Sequence, residues 1–246
     1  MTAGLLEGKN AIVTGAGQGI GLAVVEAFAE QGANVWAMVY EPEAWDAAIL
    51  HLRDGQWVKP VALDLSDDSS IKDAFGAVRA EKLPVDVLVN NAGIMDTAMF
   101  QMTRDESLER QMQVNFSGAF KLTQLVSKLM VRRKSGSIVN LSSCVALDST
   151  PGKAAYAASK AALIGMTRSI AKELGSFGIR ANCVAPSAVD TGLLDGTTQE
   201  AIDEIANGCA LGRIARPEEI AQVILFLASG MSSYVSGQVL RVDGCL

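Results

Sequence analysis

One histidine, six prolines and four scattered cysteines in 246 residues leave several chemistries without their usual groups. Histidine is the commonest neutral-pH base and metal ligand, so its near absence argues against Ser-His-Asp hydrolysis and imidazole-built zinc sites. The single one, His51, lies in the helical pattern AAILHLRDG with no nucleophile or ligand cluster beside it and reads as an ordinary histidine. Cys144, Cys183, Cys209 and Cys245 are too far apart for a chelating CxxC pair or a dense secreted framework. They read as small buried hydrophobes in a reducing compartment. No apolar run reaches membrane-spanning length, and MTAGLLEGK has no apolar signal core, so a cytoplasmic protein without a membrane partner is expected. A formal charge of −6 repels nucleic acid at long range, and no such partner is expected.

What is present is apolar: 49% of side chains are hydrophobic and 20% charged, enough to close a substantial core. Composition does not drift along the chain as a linker would make it drift, so one domain over 1 to 246 is expected. NAIVT (10 to 14) predicts a strand entering GAGQGIG, after which Ile20, Val24 and Phe28 fall on one helical face. Further strands are predicted at 34 to 39, 57 to 63, 85 to 90, 135 to 143, 178 to 186 and 238 to 243. Helices are predicted over 43 to 54, 67 to 81, 105 to 133, 152 to 174 and 216 to 228, the last opened by Pro217. The alternation implies an α/β protein: a doubly wound, seven-stranded parallel sheet with helices on both faces. Segment 187 to 214 is the longest weakly patterned insertion and follows a strand's carboxyl end, where a substrate lid would sit.

Gly15, Gly17, Gly19 and Gly21 follow the first strand and open a helix. Missing side chains let the backbone approach a pyrophosphate, and the helix amino end offers free N–H donors and a favourable dipole. The same glycines can also simply tighten a turn. Tyr156 and Lys160, four apart in YAASK, leave one face of a helix and can flank one substrate atom. An ammonium about 4 Å from a phenol, at an effective dielectric of about 20, would attract the phenolate by roughly 4 kcal/mol before desolvation. The expectation is therefore a tyrosine acidified enough to exchange a proton near neutral pH. Ser143, at the exit of the fifth strand, would face the same crevice and can donate to a carbonyl oxygen. Asn115, in MQVNFSG, interrupts an apolar helical stretch, and on its own reads equally as a buried amide satisfied by backbone.

Together these residues resemble the short-chain dehydrogenase/reductase family over nearly the whole chain. Its TGxxxGxG loop is matched by Thr14, Gly15, Gly19 and Gly21, and its serine thirteen residues before YxxxK by Ser143. The resemblance implies a single-domain Rossmann fold and hydride transfer between a nicotinamide and a carbonyl or secondary alcohol. It implies that Tyr156 is general acid or base, that Lys160 lowers its pKa and grips the nicotinamide ribose, and that Ser143 polarises the carbonyl. Asn115 would hold a water linked to the lysine. Cofactor contacts are implied for Gly15, Gly17, Gln18, Gly19, Ile20 and Gly21 in the loop, for Tyr40 after the second strand, and for Asp64 and Leu65 at the adenine. Asn91, Ala92 and Gly93 would edge the cofactor, with Asn90 and Asn91 chiefly steadying the sheet. Pro186, Ser187, Val189 and Thr191 would meet the nicotinamide, Ser187 replacing the family's usual glycine and narrowing the substrate mouth.

NAD-preferring relatives usually end the second strand with Asp and NADP-preferring ones carry Arg or Lys nearby. Val39 and Tyr40 match neither, and Glu41 with no neighbouring cation leans the expectation toward NAD. The layout is similar to 3-oxoacyl-acyl-carrier-protein reductases and related bacterial alcohol dehydrogenases. Arg132, Arg133 and Lys134 would supply a basic patch for a carrier protein beside the entrance, or equally a solvated helix end; the family's second basic position falls on Phe177. A small ketone, hydroxy acid, sugar-derived or cyclic alcohol is the alternative substrate. A dinucleotide-sensing regulator would keep the glycines but need not keep Ser143, Tyr156 and Lys160. No feature asks for a metal. The family implies a homotetramer through 105 to 133 and 152 to 174, with the C-terminal strand making another contact, and Cys245, standing where relatives usually have glycine, would perturb a subunit contact or expose a thiol.

Overall fold

Every apolar run read as a strand is one, because each supplies the branched side chains that a sheet covered on both faces requires. The computed structural model describes residues 4–45, 50, 52–194 and 196–246. The strands are β1 Asn10–Thr14, β2 Asn34–Val39, β3 Val58–Ala62, β4 Val87–Asn90, β5 Gly136–Leu141, β6 Ile179–Pro186 and β7 Val239–Val242. They form one sheet in the order β3-β2-β1-β4-β5-β6-β7, and every pair is parallel. The helices are α1 Gly19–Glu30, α2 Asp68–Ala80, α3 Asp105–Met112, α4 Ala119–Arg133, α5 Val145–Asp148, α6 Ala154–Leu174, α7 Gln199–Gly208 and α8 Pro217–Ala228. Among the described residues no helix is long and apolar enough to cross a membrane.

Alternate strand residues feed two cores. Val13, Val35, Val89, Val139 and Val184 face α1 and α8, whereas Ile12, Trp36, Leu88 and Ile138 face α2, α4 and α6. Phe28, fully buried in the first core, would cost about 3–5 kcal/mol if cut to alanine. Chain order runs outward from β1 in both directions, so the sheet switches direction between β1 and β4 and leaves a crevice at the strands' carboxyl ends.

Three stretches depart from expectation. The helix expected over 43 to 54 is represented by a 3-10 turn at Pro42–Ala44, and residues 46–49 and 51, His51 included, lie outside the described residues. The helical region expected over 105 to 133 is three pieces, with a π-helical turn at Gln113–Gly118 between α3 and α4. The insertion 187 to 214 carries a 3-10 turn, Gly192–Leu194, and α7, whose Thr198 side chain caps it by accepting from Ala201 N.

Candidate active site

The crevice is a cleft of about 1260 Å³ running from Tyr40 and Trp45, past the glycine loop, to Ser143, Tyr156 and Leu246. At its floor Gly15 and Gly19 adopt φ of +64° and +54°, a conformation that favours glycine. A Cβ on Gly15 would lie 2.8 Å from Ala92 Cα, whereas one on Gly17 would meet nothing nearer than Val39 at 3.7 Å. Gly17 thus faces open space and Gly15 a neighbouring backbone. Gln18 caps α1 without a side-chain hydrogen bond, leaving the first-turn N–H groups free. An open glycine beside free helical donors fits a dinucleotide's diphosphate.

Gly21 does not line the cleft. It is buried, and a Cβ there would fall 2.0 Å from Gly15 O, so its role is to let α1 pack against the loop. Asn91 braces that loop: its Nδ2 donates to Thr14 O and Gly15 O at 2.9 and 3.1 Å, while Asn91 N and Ala92 N donate to Thr14 Oγ1. Asn90 lies deeper, donating to Thr123 Oγ1 and Asn140 Oδ1 at 2.9 and 2.7 Å.

Tyr156 and Lys160 leave the buried face of α6, and Ser143 stands two residues beyond β5. Lys160 Nζ donates to Leu141 O at 2.8 Å, so an otherwise free carbonyl at the end of β5 holds the ammonium. Burial pushes that ammonium down to about 8, with Cys183 opposing. Burial also pushes the Tyr156 phenol up to about 12, opposed by hydrogen bonding with the Ser143 side chain. Burial thus works against the expected acidification. Desolvation of the phenolate outweighs every attraction, and Lys160, whose Nζ lies 5.8 Å from the phenol ring centroid, does not offset it. Ser143 Oγ accepts from Val145 N at 3.2 Å, which leaves its own hydrogen free to donate.

Asn115 is fully buried in the π-helical turn and does not line the cleft. Its Oδ1 accepts from Ile94 N at 2.8 Å, and its Nδ2 donates to Ile94 O and Ser159 Oγ, both at 2.9 Å. Ser159 Oγ in turn donates to Tyr156 O. Both Asn115 Oδ1 and Lys160 Nζ converge on Gly93, where an added Cβ would sit 3.2 and 3.0 Å from them.

Toward the other end, Gln18, Ile20, Tyr40, Asp64, Leu65, Ala92 and Gly93 all line the cleft. Asp64 is held by Ser66 N and Ser66 Oγ at 2.8 and 2.6 Å. Above the floor, Pro186, Ser187, Val189 and Thr191 line the opposing wall. Val189 bridges to Ala215, and Thr191 closes on Gly19, its Cγ2 lying 2.9 Å from where a Cβ would stand.

Arg132, Arg133 and Lys134 are not beside the cleft of this chain. They end α4 at the amino edge of the sheet, where Arg133 lies 3.6 Å from Asp86 just before β4. Of the cysteines, Cys144, Cys183 and Cys209 are buried but Cys245 is exposed, which corrects the reading of all four as core. Cys144 lines the cleft, its thiol pushed up to about 12 by burial. Sequence reasoning missed Trp45, Arg110, Lys153 and Leu246 as lining residues. They belong to no motif, and only the fold brings them to the crevice.

Comparison with known proteins gives the same outline. The family model described as enoyl-(acyl carrier protein) reductase matches residues 15–246. The chain is 42% identical over 243 residues to a 3-oxoacyl-(acyl-carrier-protein) reductase of Thermotoga maritima, covering 98% of each chain. It is 37% identical over 243 residues to a 3alpha-hydroxysteroid dehydrogenase of Mediterraneibacter gnavus, covering 98% of this chain and 97% of that one. The crystal structure of a Brucella melitensis 3-oxoacyl-(acyl-carrier protein) reductase superposes with a TM-score of 0.89 at 31% identity, over 98% of this chain and 92% of that one. With the glycine loop, the serine and the YxxxK helix gathered on one cleft, the chain belongs to the short-chain dehydrogenase/reductase family of NAD(P)-dependent oxidoreductases that act on carbonyl and alcohol groups.

Proposed function

We propose that the chain reduces a carbonyl to a secondary alcohol at Ser143, Tyr156 and Lys160, and that it runs the reverse reaction on the alcohol. The observation carrying this reading is a buried phenol beside a serine hydroxyl and a lysine one helical turn on, all three lining one dinucleotide-sized cleft. A nicotinamide dinucleotide, when bound, supplies the hydride that reaches the carbonyl carbon. Ser143 donates to the carbonyl oxygen and draws charge onto it. Tyr156 then delivers its proton to that oxygen, and takes it back from the alcohol in the reverse direction. Lys160 holds a positive charge beneath the phenol, stabilises the phenolate left behind and reaches the nicotinamide ribose. Asn115 acts behind them, positioning Ser159 and the Tyr156 backbone and supporting a proton path at Gly93.

Gly15, Gly17, Gln18, Gly19 and Ile20 would hold the diphosphate, with Gly21 and Asn91 shaping the loop. Tyr40, Asp64 and Leu65 would enclose the adenosine, and Ala92 and Gly93 the middle. Pro186, Ser187, Val189 and Thr191 would meet the nicotinamide. NAD is the favoured cofactor. Among the described residues the cations lining the cleft are Arg110, Lys153 and Lys160, none at the Tyr40 and Trp45 end, so a 2′-phosphate would meet Glu41 with no described counter-ion. Residues 187 to 214 would act as the lid. The two helical stretches 105 to 133 and 152 to 174 would build a homotetramer, an assembly supported by the half-exposed Leu108 and Phe120. Four unpaired cysteines suit a cytoplasmic setting.

Among substrates, a 3-oxoacyl thioester is supported by the reductases this chain resembles at about equal length. A free small ketone or secondary alcohol is the second reading, favoured by the distance of Arg132 to Lys134 from the cleft of their own chain. The test is Tyr156→Phe assayed at the nicotinamide absorbance on a panel of both substrate kinds. Dinucleotide binding should persist while turnover nearly vanishes. Substantial remaining turnover would sink the assignment.

A further inference from the structure

We propose that the segment Asp243–Leu246 is a wall of the substrate pocket and that Leu246 sets the size of the apolar group accepted beside the reacting carbonyl. The inference rests on the hydride-transfer reading above. Four sets of contacts carry it. Asp243 follows β7, at the carboxyl edge where the cleft opens, and its Oδ2 accepts from Arg241 Nε at 2.6 Å and from Cys144 Sγ at 3.7 Å. Cys144 is the residue after Ser143. Arg241 also binds Asp148 of α5 at 2.6 Å, so one guanidinium ties the end of β7 to the helix that follows the serine. Next, Cys245 holds φ of +62°, strained for a side chain larger than glycine, with its N–H fixed on Asp243 Oδ1 at 3.1 Å. That turn redirects the chain toward the insertion. There Ala210 N and Leu211 N donate to Cys245 O and Gly244 O, both at 3.2 Å, coupling the strap to the exit of α7.

Leu246 lies where these ties converge. Its Cδ1 is 3.4 Å from where a Cβ on Gly208 would stand, and its side chain lines the cleft with Leu193, Leu194 and Ile205 while remaining 50% exposed. A half-bare leucine on a pinned backbone facing a cleft is a surface waiting for an apolar partner. The geometry fits a ketone or secondary alcohol bearing an aliphatic or alicyclic substituent, held between Leu246 and the leucines of the 3-10 turn.

The experiment uses the full chain with a series of ketones of lengthening alkyl group. Leu246→Ala should raise kcat/KM for the longest ketone relative to the shortest by about tenfold, and Leu246→Trp should lower the same ratio by a similar factor. Arg241→Gln should move it the same way as Leu246→Ala by a smaller factor. Ratios unchanged in both Leu246 variants would overturn the proposal. A second readout does not need turnover: methyl spectra of leucine-labelled protein with dinucleotide present, Leu246 being identified by its loss in Leu246→Ala. Ketone binding should shift the Leu246 methyls but not those of Leu83, which lies outside the cleft. A shift without turnover in the wild-type protein would refute hydride transfer and leave the pocket wall standing. Shifts at Leu193 and Leu194 without one at Leu246, or no shift at any of them, would refute the wall alone, since turnover decides hydride transfer separately.

Discussion

Two buried polar clusters sit side by side at the carboxyl ends of β4 and β5, and they differ in what they leave free. The first joins Asn90, Thr123, Asn140 and Thr167. Asn140 Nδ2 donates to Thr167 Oγ1 and that hydroxyl to Leu163 O, both at 2.7 Å, so β4, β5, α4 and α6 are cross-linked. Its one unpaired atom among the described residues, Asn90 Oδ1, is sealed in the interior. The second joins Asn115, Ser159, Tyr156, Lys160 and Ser143, and its phenol, ammonium and serine hydroxyl line the cleft with donors to spare. Polar side chains at similar burial thus serve cohesion in one place and, on the proposed reading, chemistry in the other. What separates them is whether a proton can reach the cleft.

That comparison can be broken from either side. Tyr156→Phe removes the transferable proton and should cost about 10²–10⁴-fold in kcat, with the denaturation midpoint nearly unchanged. Ser143→Ala removes the second donor and should cost about 10²–10³-fold in kcat, again with little loss of stability. Asn140→Ala should do the reverse. Urea unfolding should show about 1–3 kcal/mol less stability, because Asn90 and Thr167 lose a buried partner, while kcat per folded molecule stays near the wild-type value. If Asn140→Ala abolished turnover without unfolding the protein, the two clusters would not be separate.

Smaller effects sharpen the picture. Turnover with NADH should exceed that with NADPH at equal concentration, since no cation among the described residues lines the adenosine end; a large preference for NADPH would refute this. Burial lowers Lys160 to about 8 from an ordinary value of 10.5, so between those values the unfolded chain binds a proton that the folded protein has shed. The group's contribution to stability therefore rises as pH climbs from about 8 to 10.5. Urea midpoints for wild type and Lys160→Met should diverge less at pH ~10 than at pH ~7 if tertiary contacts are otherwise equal.

Much of this was legible in the sequence because it is encoded locally. Strand β6 ends at Pro186 and α8 begins at Pro217, as the proline constraints require. Gly15 and Gly19 sit at positive φ, where a turn into a helix demands glycine. The Ser143, Tyr156 and Lys160 set follows from one helix face and one strand exit. Other features depend on contacts distant in sequence. The π-helical turn at Asn115 exists because the amide embraces the Ile94 peptide, 21 residues away. Leu246 reaches the cleft because Gly244 and Cys245 before it accept hydrogen bonds from residues 211 and 210. The burial that opposes the phenol's ionisation is of the same kind: a four-residue spacing reveals a neighbouring ammonium but not how completely the site excludes water.

The protonation state of Tyr156 decides the account most directly. With three tyrosines in the chain, Cζ-labelled tyrosine gives few carbon resonances, and Tyr156→Phe identifies the one that matters. In cofactor-free protein that resonance should remain in its protonated position past pH ~10, consistent with a phenol raised to about 12. A titration midpoint near pH ~7 would contradict it, and would mean that Lys160 governs the phenol after all.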